Sequence, residues 1–328
     1  MDRKKIDKIF EAASGKRICI IGDIMLDRYM FGNVNRISPE APVQVFDLKE
    51  SISKLGGAAN VSLNIKSLGA EPFLIGVIGN DGAGKILRDE MRNLGQDTSG
   101  LITDSSRPTT CKTRVISDSH HLIRIDSESK QDISAQIEAQ IISKLGEISS
   151  DTNYIILQDY NKGVLTKPLI KKILAHAVKK KIKVLVDPKF ENFFEFKETF
   201  LFKPNRKELE DAFGKKLKTA GDPNELVMSL IKKLKCKNVV LTLGEHGMRI
   251  YSRENGKIVV SSVKTVAKKV ADVSGAGDTV ISTMAFCLSG GAGVRDAAYI
   301  SNIAAGIVVE EVGIVPVRRD KLYKKLIS

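Results

Sequence analysis

Apolar residues in this chain gather in short unbroken runs, each stopping at a polar residue. "ICIIGD" stops at Asp23, "YIILQDY" around Asp159, "VLVDPK" at Asp187, "FLFKPN" at Asn205, and "VVLTLG" at Thr242 and Gly244. Such runs predict strands covered on both faces, as in parallel sheets. Helical periodicity follows most of them, over 166–181, 222–235 and 295–309, and "MDRKKIDKIFEAA" reads as an amphipathic helix. Strands alternating with helices predict an α/β fold built on a doubly wound sheet. Ligands of such sheets bind beyond the carboxyl ends of the strands, so the five polar stops are expected on one rim.

Two segments break the rhythm. Residues 29–48 and 109–126 read as short strands and hairpins without helices, the second with clear alternation. They predict a small sheet set apart as a lid, at roughly 29–50 and 107–127, inserted within one unit spanning 1–328. A lid excludes water during chemistry. A flap of few strands is marginal alone, so pairing of two copies through it is expected.

Composition narrows the function. The chain has 328 residues with 42% apolar content, enough for one large α/β domain or two small ones. Aromatics are 5% and Trp is absent, which argues against nucleic-acid binding by stacking. The net charge of +13 attracts anions, but clusters such as "AVKKKIK" lie at helical spacing and read as a solvated Lys-rich surface. Four scattered Cys form no CxxC pair and four His form no HExxH, so a reducing compartment is expected and zinc is not. No signal-peptide stretch or membrane span is read, and a cytoplasmic protein without nucleic-acid or membrane partners is expected.

One motif misleads. "GNDGAGKI", residues 79–86, nearly writes a phosphate-binding P-loop, but Ile86 stands where the magnesium-holding Ser or Thr belongs. It reads as a strand–turn–helix junction with Asp81 or Gly82 near the helix start. No G-x-G-x-x-G occurs either.

"DVSGAGDTVIST", residues 272–283, carries the chemistry. Gly275, Ala276 and Gly277 expose backbone N–H groups at a helix start, which suits an anion. Asp278 follows, and a carboxylate there would repel that anion. Two jobs resolve the conflict: the amides cradle a phosphoryl group, and Asp278 takes the proton of the attacking hydroxyl. The alternative is a capped helix, since Asp272, Ser274 and Asp278 all suit an N-terminus.

This elbow resembles the second signature of the ribokinase-like (PfkB) carbohydrate kinases. "GGAAN", 56–60, is similar to their first signature, "LTLGEHG", 241–247, to their nucleotide turn, and "PNRKE", 204–208, to their Asn-x-x-Glu element. Asn205 and Glu208 also read as a capping box, and both readings can hold at once. "IGDIMLDRYMFGNVNRISPEAPVQV", "KLGGAANVSLNIKSLGA", "QDYNKG" and "VDPK" further resemble the bacterial heptose 7-phosphate kinases, from about residue 15 to 315. The resemblance implies a ribokinase-like three-layer α/β/α sandwich with a mostly parallel central sheet and a β-sheet lid. It implies ATP-dependent phosphorylation of D-glycero-D-manno-heptose 7-phosphate at O1, toward ADP-heptose for lipopolysaccharide. Magnesium is implied and a monovalent cation admitted. A related kinase of another sugar or nucleoside, or a silent sugar-phosphate sensor, are the alternatives.

The resemblance also assigns roles. Asp278 is the base, with Gly275, Ala276 and Gly277 as the anion hole. Asn205, Arg206, Lys207, Glu208, Thr242, Gly244, Gly247 and Asn302 belong to the nucleotide, Glu208 reaching the metal through water. Asp27, Gly56, Gly57 and Asn60 belong to sugar hydroxyls. Arg36, Lys112, Arg114, Arg124 and Lys189 are candidates for the substrate phosphate. Many relatives fuse a nucleotidyltransferase domain with an HxGH motif. That motif is absent here, so a separate adenylyltransferase is expected. Gln158 stands where relatives often carry a small residue.

Overall fold

The apolar runs become strands of one large sheet in the computed structural model, which describes residues 1–118, 120–217, 223–265, 271–311 and 313–328. In chain order the elements are α1 (Arg3–Ala13), β1 (Arg17–Gly22), β2 (Ile24–Ile37), β3 (Gln44–Gly57), α2 (Ala58–Leu68), β4 (Glu71–Ile78), α3 (Gly82–Asn93), β5 (Leu101–Thr103), β6 (Cys111–Ser117) and β7 (His120–Ser127). There follow α4 (Ala135–Ile148), β8 (Thr152–Gln158), α5 (Lys167–Lys180), β9 (Lys183–Asp187), β10 (Leu201–Phe202), α6 (Arg206–Phe213), α7 (Asn224–Leu234) and β11 (Asn238–Thr242). The chain closes with β12 (Met248–Glu254), β13 (Lys257–Val263), α8 (Ala276–Ser289), α9 (Val294–Val308) and α10 (Arg319–Ile327). Ser119, inside the expected lid, and residue 222, the expected start of a helix, lie outside the described residues.

The strand order is β13-β12-β11-β10-β9-β8-β1-β4-β5. Every pairing from β11 to β5 is parallel, and β12 and β13 add an antiparallel edge. Parallel neighbours end at one edge, so Asp23, Asp159, Asp187, Asn205 and Thr242 share a rim. The register makes this concrete: Gly22 lies beside Gln158, and Gln158 beside Asp187.

Alternate side chains of each strand serve opposite layers. Ile18 and Ile20 of β1 join a core with Phe10, Ile65, Met284 and Ile300. Cys19 and Ile21 join the other, with Ile141, Ile173 and Leu230. Helix α8 is buried continuously from Asp278 to Leu288, so its apolar character all round is that of a central helix. Among the described residues no helix is long and apolar enough to cross a membrane.

The second sheet has the order β3-β2-β6-β7. It begins earlier and ends later than the expected 29–50, because β2 leaves β1 with only Asp23 between them, and β3 runs on through Gly57 into α2. The Asp23 carbonyl accepts the Ala58 N–H at 2.9 Å, so one residue ties both ends of this excursion to the large sheet. The P-loop look-alike is a strand–turn–helix junction: Asp81 caps α3, its carboxylate accepting the N–H of Gly84 and of Thr109, each at 2.8 Å.

Candidate functional site

The elbow lies on the strand-end rim, where β8 and β9 present Gln158 and Asp187. Gly275 precedes α8 with φ 79°, a conformation that L side chains avoid. A Cβ there would also lie 3.0 Å from Asn60 Nδ2. The N-cap residue, Gly275, has no side chain to cap α8. The Ala276 N–H donates to Val273 O at 3.2 Å, so that one amide of the expected cradle turns inward. Gly277 faces a buried ion pair, Lys203 Nζ to Asp187 Oδ1 at 2.9 Å, and a Cβ on it would stand 3.5 Å from Nζ.

Asp278 is 3% exposed and fully surrounded by donors. Its Oδ2 accepts from Asn60 Nδ2 at 2.8 Å. Its Oδ1 accepts from the Tyr160 hydroxyl at 2.7 Å and from Gln158 Nε2 at 3.1 Å. Burial pushes the Asp278 carboxyl up to about 6; Asp187 adds to the rise, while Asn60, Tyr160 and Lys203 oppose it. The result is a carboxylate that is ionised near neutral pH and is a stronger base than an exposed one. Gln158 bridges two acids, since Nε2 also donates to Asp187 Oδ2 at 3.1 Å. Among the described residues its buried Oε1 finds no hydrogen-bond partner.

A loop after β8 delivers Tyr160. The Asp23 carboxylate gathers the N–H groups of Tyr160 (2.7 Å), Lys162 (3.1 Å) and Val164 (3.3 Å). Asp159 lies beside it, and burial, then the charge of Asp23, pushes its carboxyl up to about 7.

Of the residues expected to meet substrate, the structure brings Asp27, Gly56, Gly57, Asn60, Arg114 and Lys189 toward this rim. Asp27 is buried and accepts Arg114 Nη1 at 2.6 Å. A Cβ on Gly56 would sit 2.2 Å from Asp27 Oδ2, and one on Gly57 2.5 Å from Asp23 O, so both glycines permit close backbone approach. Lys189 pairs with Glu208 and lies over the Tyr160 ring at 5.4 Å. Lys112, opposite Asp27, and Arg124, opposite Arg114, share the face of the small sheet that carries Arg114, but both are held in ion pairs, with Asp126 and Glu128 and with Asp126; Arg36, near the far end of β2, pairs with Asp47. Strand alternation puts Lys112 on the face of Arg114 but could not show which carboxylates engage these cations. Sequence reasoning gave no role to Lys54, Tyr160 or Lys203, although Tyr160 lies within the quoted "QDYNKG" and Lys54 directly precedes Leu55 and the glycine pair.

The expected nucleotide residues lie around the ends of β10 and β11. Asn205 and Glu208 form a reciprocal capping box on α6, both bonds 2.8 Å. Arg206 is engaged by Glu210 and by the Leu217 carbonyl, and Lys207 is exposed. The Thr242 N–H donates to Pro204 O at 3.0 Å, joining that cap to the turn at Gly244 and Gly247, both of positive φ. Gly247 packs against the backbone of Val263, where a Cβ would lie 2.0 Å from the carbonyl oxygen. Asn302 Nδ2 donates to Lys264 O at 2.8 Å. Among the described residues no group of three or more His, Cys, Asp or Glu converges as a metal cage. Glu208, the carboxylate expected to reach a metal through water, is engaged on both oxygens, by Lys189 and by the Asn205 N–H, so it could meet magnesium on a triphosphate only by exchanging one of these partners.

The model of the pfkB family carbohydrate kinases matches residues 16–318. The chain belongs to that family. As a pfkB-family carbohydrate kinase it is similar to the "Bifunctional protein HldE" of Geobacter metallireducens, 39% identical over 95% of this chain and 63% of the relative. The HldE of Helicobacter hepaticus is 41% identical over 90% of this chain and 61% of the relative. The chain thus spans less than two thirds of these relatives. Among solved structures, phosphofructokinase-2 of Escherichia coli with substrates and products superposes at TM-score 0.77, 19% identity, covering 95% of this chain and all of that one. Arabidopsis thaliana ribokinase with ribose and ATP gives 0.75, 18% identity, 95% and 99%. These two likenesses show the fold: the ribokinase-like α/β sandwich with its second sheet.

Proposed function

We propose that this carbohydrate kinase transfers the γ-phosphoryl group of ATP to O1 of D-glycero-D-manno-heptose 7-phosphate. The observation that carries the phosphotransfer is the buried Asp278, aligned by Asn60, Tyr160 and Gln158 at an uncapped helix start. The heptose assignment rests on the "DRYMFGNVNRISPEAPVQV" stretch and agrees with the HldE relatives.

Asp278 accepts the O1 proton as oxygen bonds to phosphorus and the bond to the bridging oxygen of ADP breaks. Amides at the elbow and the Lys203 side of Gly277 face the charge of the transferring group. Asn60 orients the carboxylate before substrate enters and can exchange that bond for a sugar hydroxyl. Magnesium would be held by the triphosphate and, through water, by Glu208, supplying charge neutralisation on the phosphates.

The small sheet closes over the sugar and also joins two chains. Ile123 and Ile125 of β7 are 57% and 53% exposed, and Ile37 of β2 is 68% exposed, an apolar face suited to a second copy. A coupled assay of ADP release with heptose 7-phosphate, ribose and fructose 1-phosphate tests the substrate. Turnover confined to the heptose phosphate is expected; equal turnover of ribose would overturn the assignment.

A further inference from the structure

A cavity of ≈ 460 Å³ opens between the small sheet and the loop before α8. Its wall is apolar on one side: Tyr29 and Phe31 stack with centroids 6.4 Å apart and planes 11° off parallel, beside Ile52 and Ile116. Two strong cations line it, Arg114 and Lys54. Both flank the Tyr29 ring, at 5.2 Å and 5.9 Å from its centroid. Their engagements differ. Arg114 is bound to the buried Asp27. Lys54 Nζ donates to Ile314 O at 3.1 Å and, among the described residues, pairs with no carboxylate. An ammonium has three donors, so two remain for a ligand. The acid in the cavity wall, Asp272, is tied to the N–H of Ser274 at 2.8 Å and of Gly313 at 3.1 Å. Arg36, Lys112 and Arg124, by contrast, all have carboxylate partners.

A half-buried cation without an acid, beside an apolar wall and next to the phosphotransfer elbow, fits a polyol whose far end is anionic. We propose that Lys54 is the specificity-determining residue of this cavity, holding the terminal phosphate of a sugar-phosphate substrate and so selecting it over the free sugar. The inference rests on the reading of the elbow as the phosphotransfer site, and it replaces the paired lid cations with one residue.

The test compares wild type, Lys54→Met and Lys54→Arg on heptose 7-phosphate and on unphosphorylated heptose, with ADP release as the readout. Lys54→Met is expected to lower kcat/KM for the phosphate by about 10- to 100-fold, chiefly through KM, and to change that for free heptose less than about threefold. Lys54→Arg retains most of the preference. A Lys54→Met enzyme that loses both substrates in the same ratio, or neither, overturns the inference while leaving the heptose reading intact. Should wild type refuse heptose 7-phosphate but accept fructose 6-phosphate, the heptose reading fails, and the same variants are compared on fructose 6-phosphate and fructose. A wild type that prefers free sugars overturns the role of Lys54 outright.

Discussion

As the proposed base, Asp278 must be ionised to act, although it is buried. Replacing it with Asn should lower kcat by about 10²- to 10⁴-fold, the range for a lost general base. Its carboxyl at about 6 sets the acid limb of kcat/KM: activity should fall tenfold per unit below that pH. Tyr160→Phe removes a bond that favours the ionised form, so the limb should move upward by about one unit. A rate loss without that movement would assign Tyr160 to packing alone. Linkage runs the other way for stability. The folded value lies above the ordinary 3.8, so the contribution of this group is present below that value and lost as pH rises through about 6. Asp278→Asn should therefore melt no lower than wild type at pH 8, its advantage shrinking toward pH 4. The buried acid at the elbow was legible in four letters, Gly-Ala-Gly-Asp. Its supports were not, because Asn60, Gln158 and Tyr160 meet it from 218, 120 and 118 residues away.

Elements were legible where one pattern covered a whole run. Parallel strands with both faces buried show as unbroken apolar stretches, and α5, α7 and α9 fall within a few residues of 166–181, 222–235 and 295–309. The pattern failed where the chain changes sheet without a turn, as at Asp23: Gly22, directly before it, is the last residue of β1 and opens no turn, so β2 continues β1. The β12–β13 hairpin carried an unused signal: Asn255-Gly256 with φ of 47° and 79°, the dipeptide of a tight turn. The cap on α6 was read as both structure and site, and one variant separates the two. Asn205→Ala should cost about 1 kcal/mol by chemical denaturation. If the cap also faces the nucleotide, KM for ATP rises while KM for the sugar stays within about twofold.

For the whole molecule, the excess of 52 basic over 39 acidic residues sits largely on Lys-rich helices, consistent with a solvated surface. The exposed apolar face of β7 should be covered in solution. Sedimentation is expected to give twice the 35.9 kDa of one chain. Ile123→Lys with Ile125→Lys should halve that mass, and a monomeric wild type would remove the case for pairing through this sheet. The most economical joint in the fold is Asp23. Its peptide links the two sheets, its carbonyl receives the returning strand, and its carboxylate grips the segment that carries Tyr160. The small sheet and the loop that sets Tyr160 against Asp278 are thus moored to one residue, and a substitution of Asp23 should disturb both together.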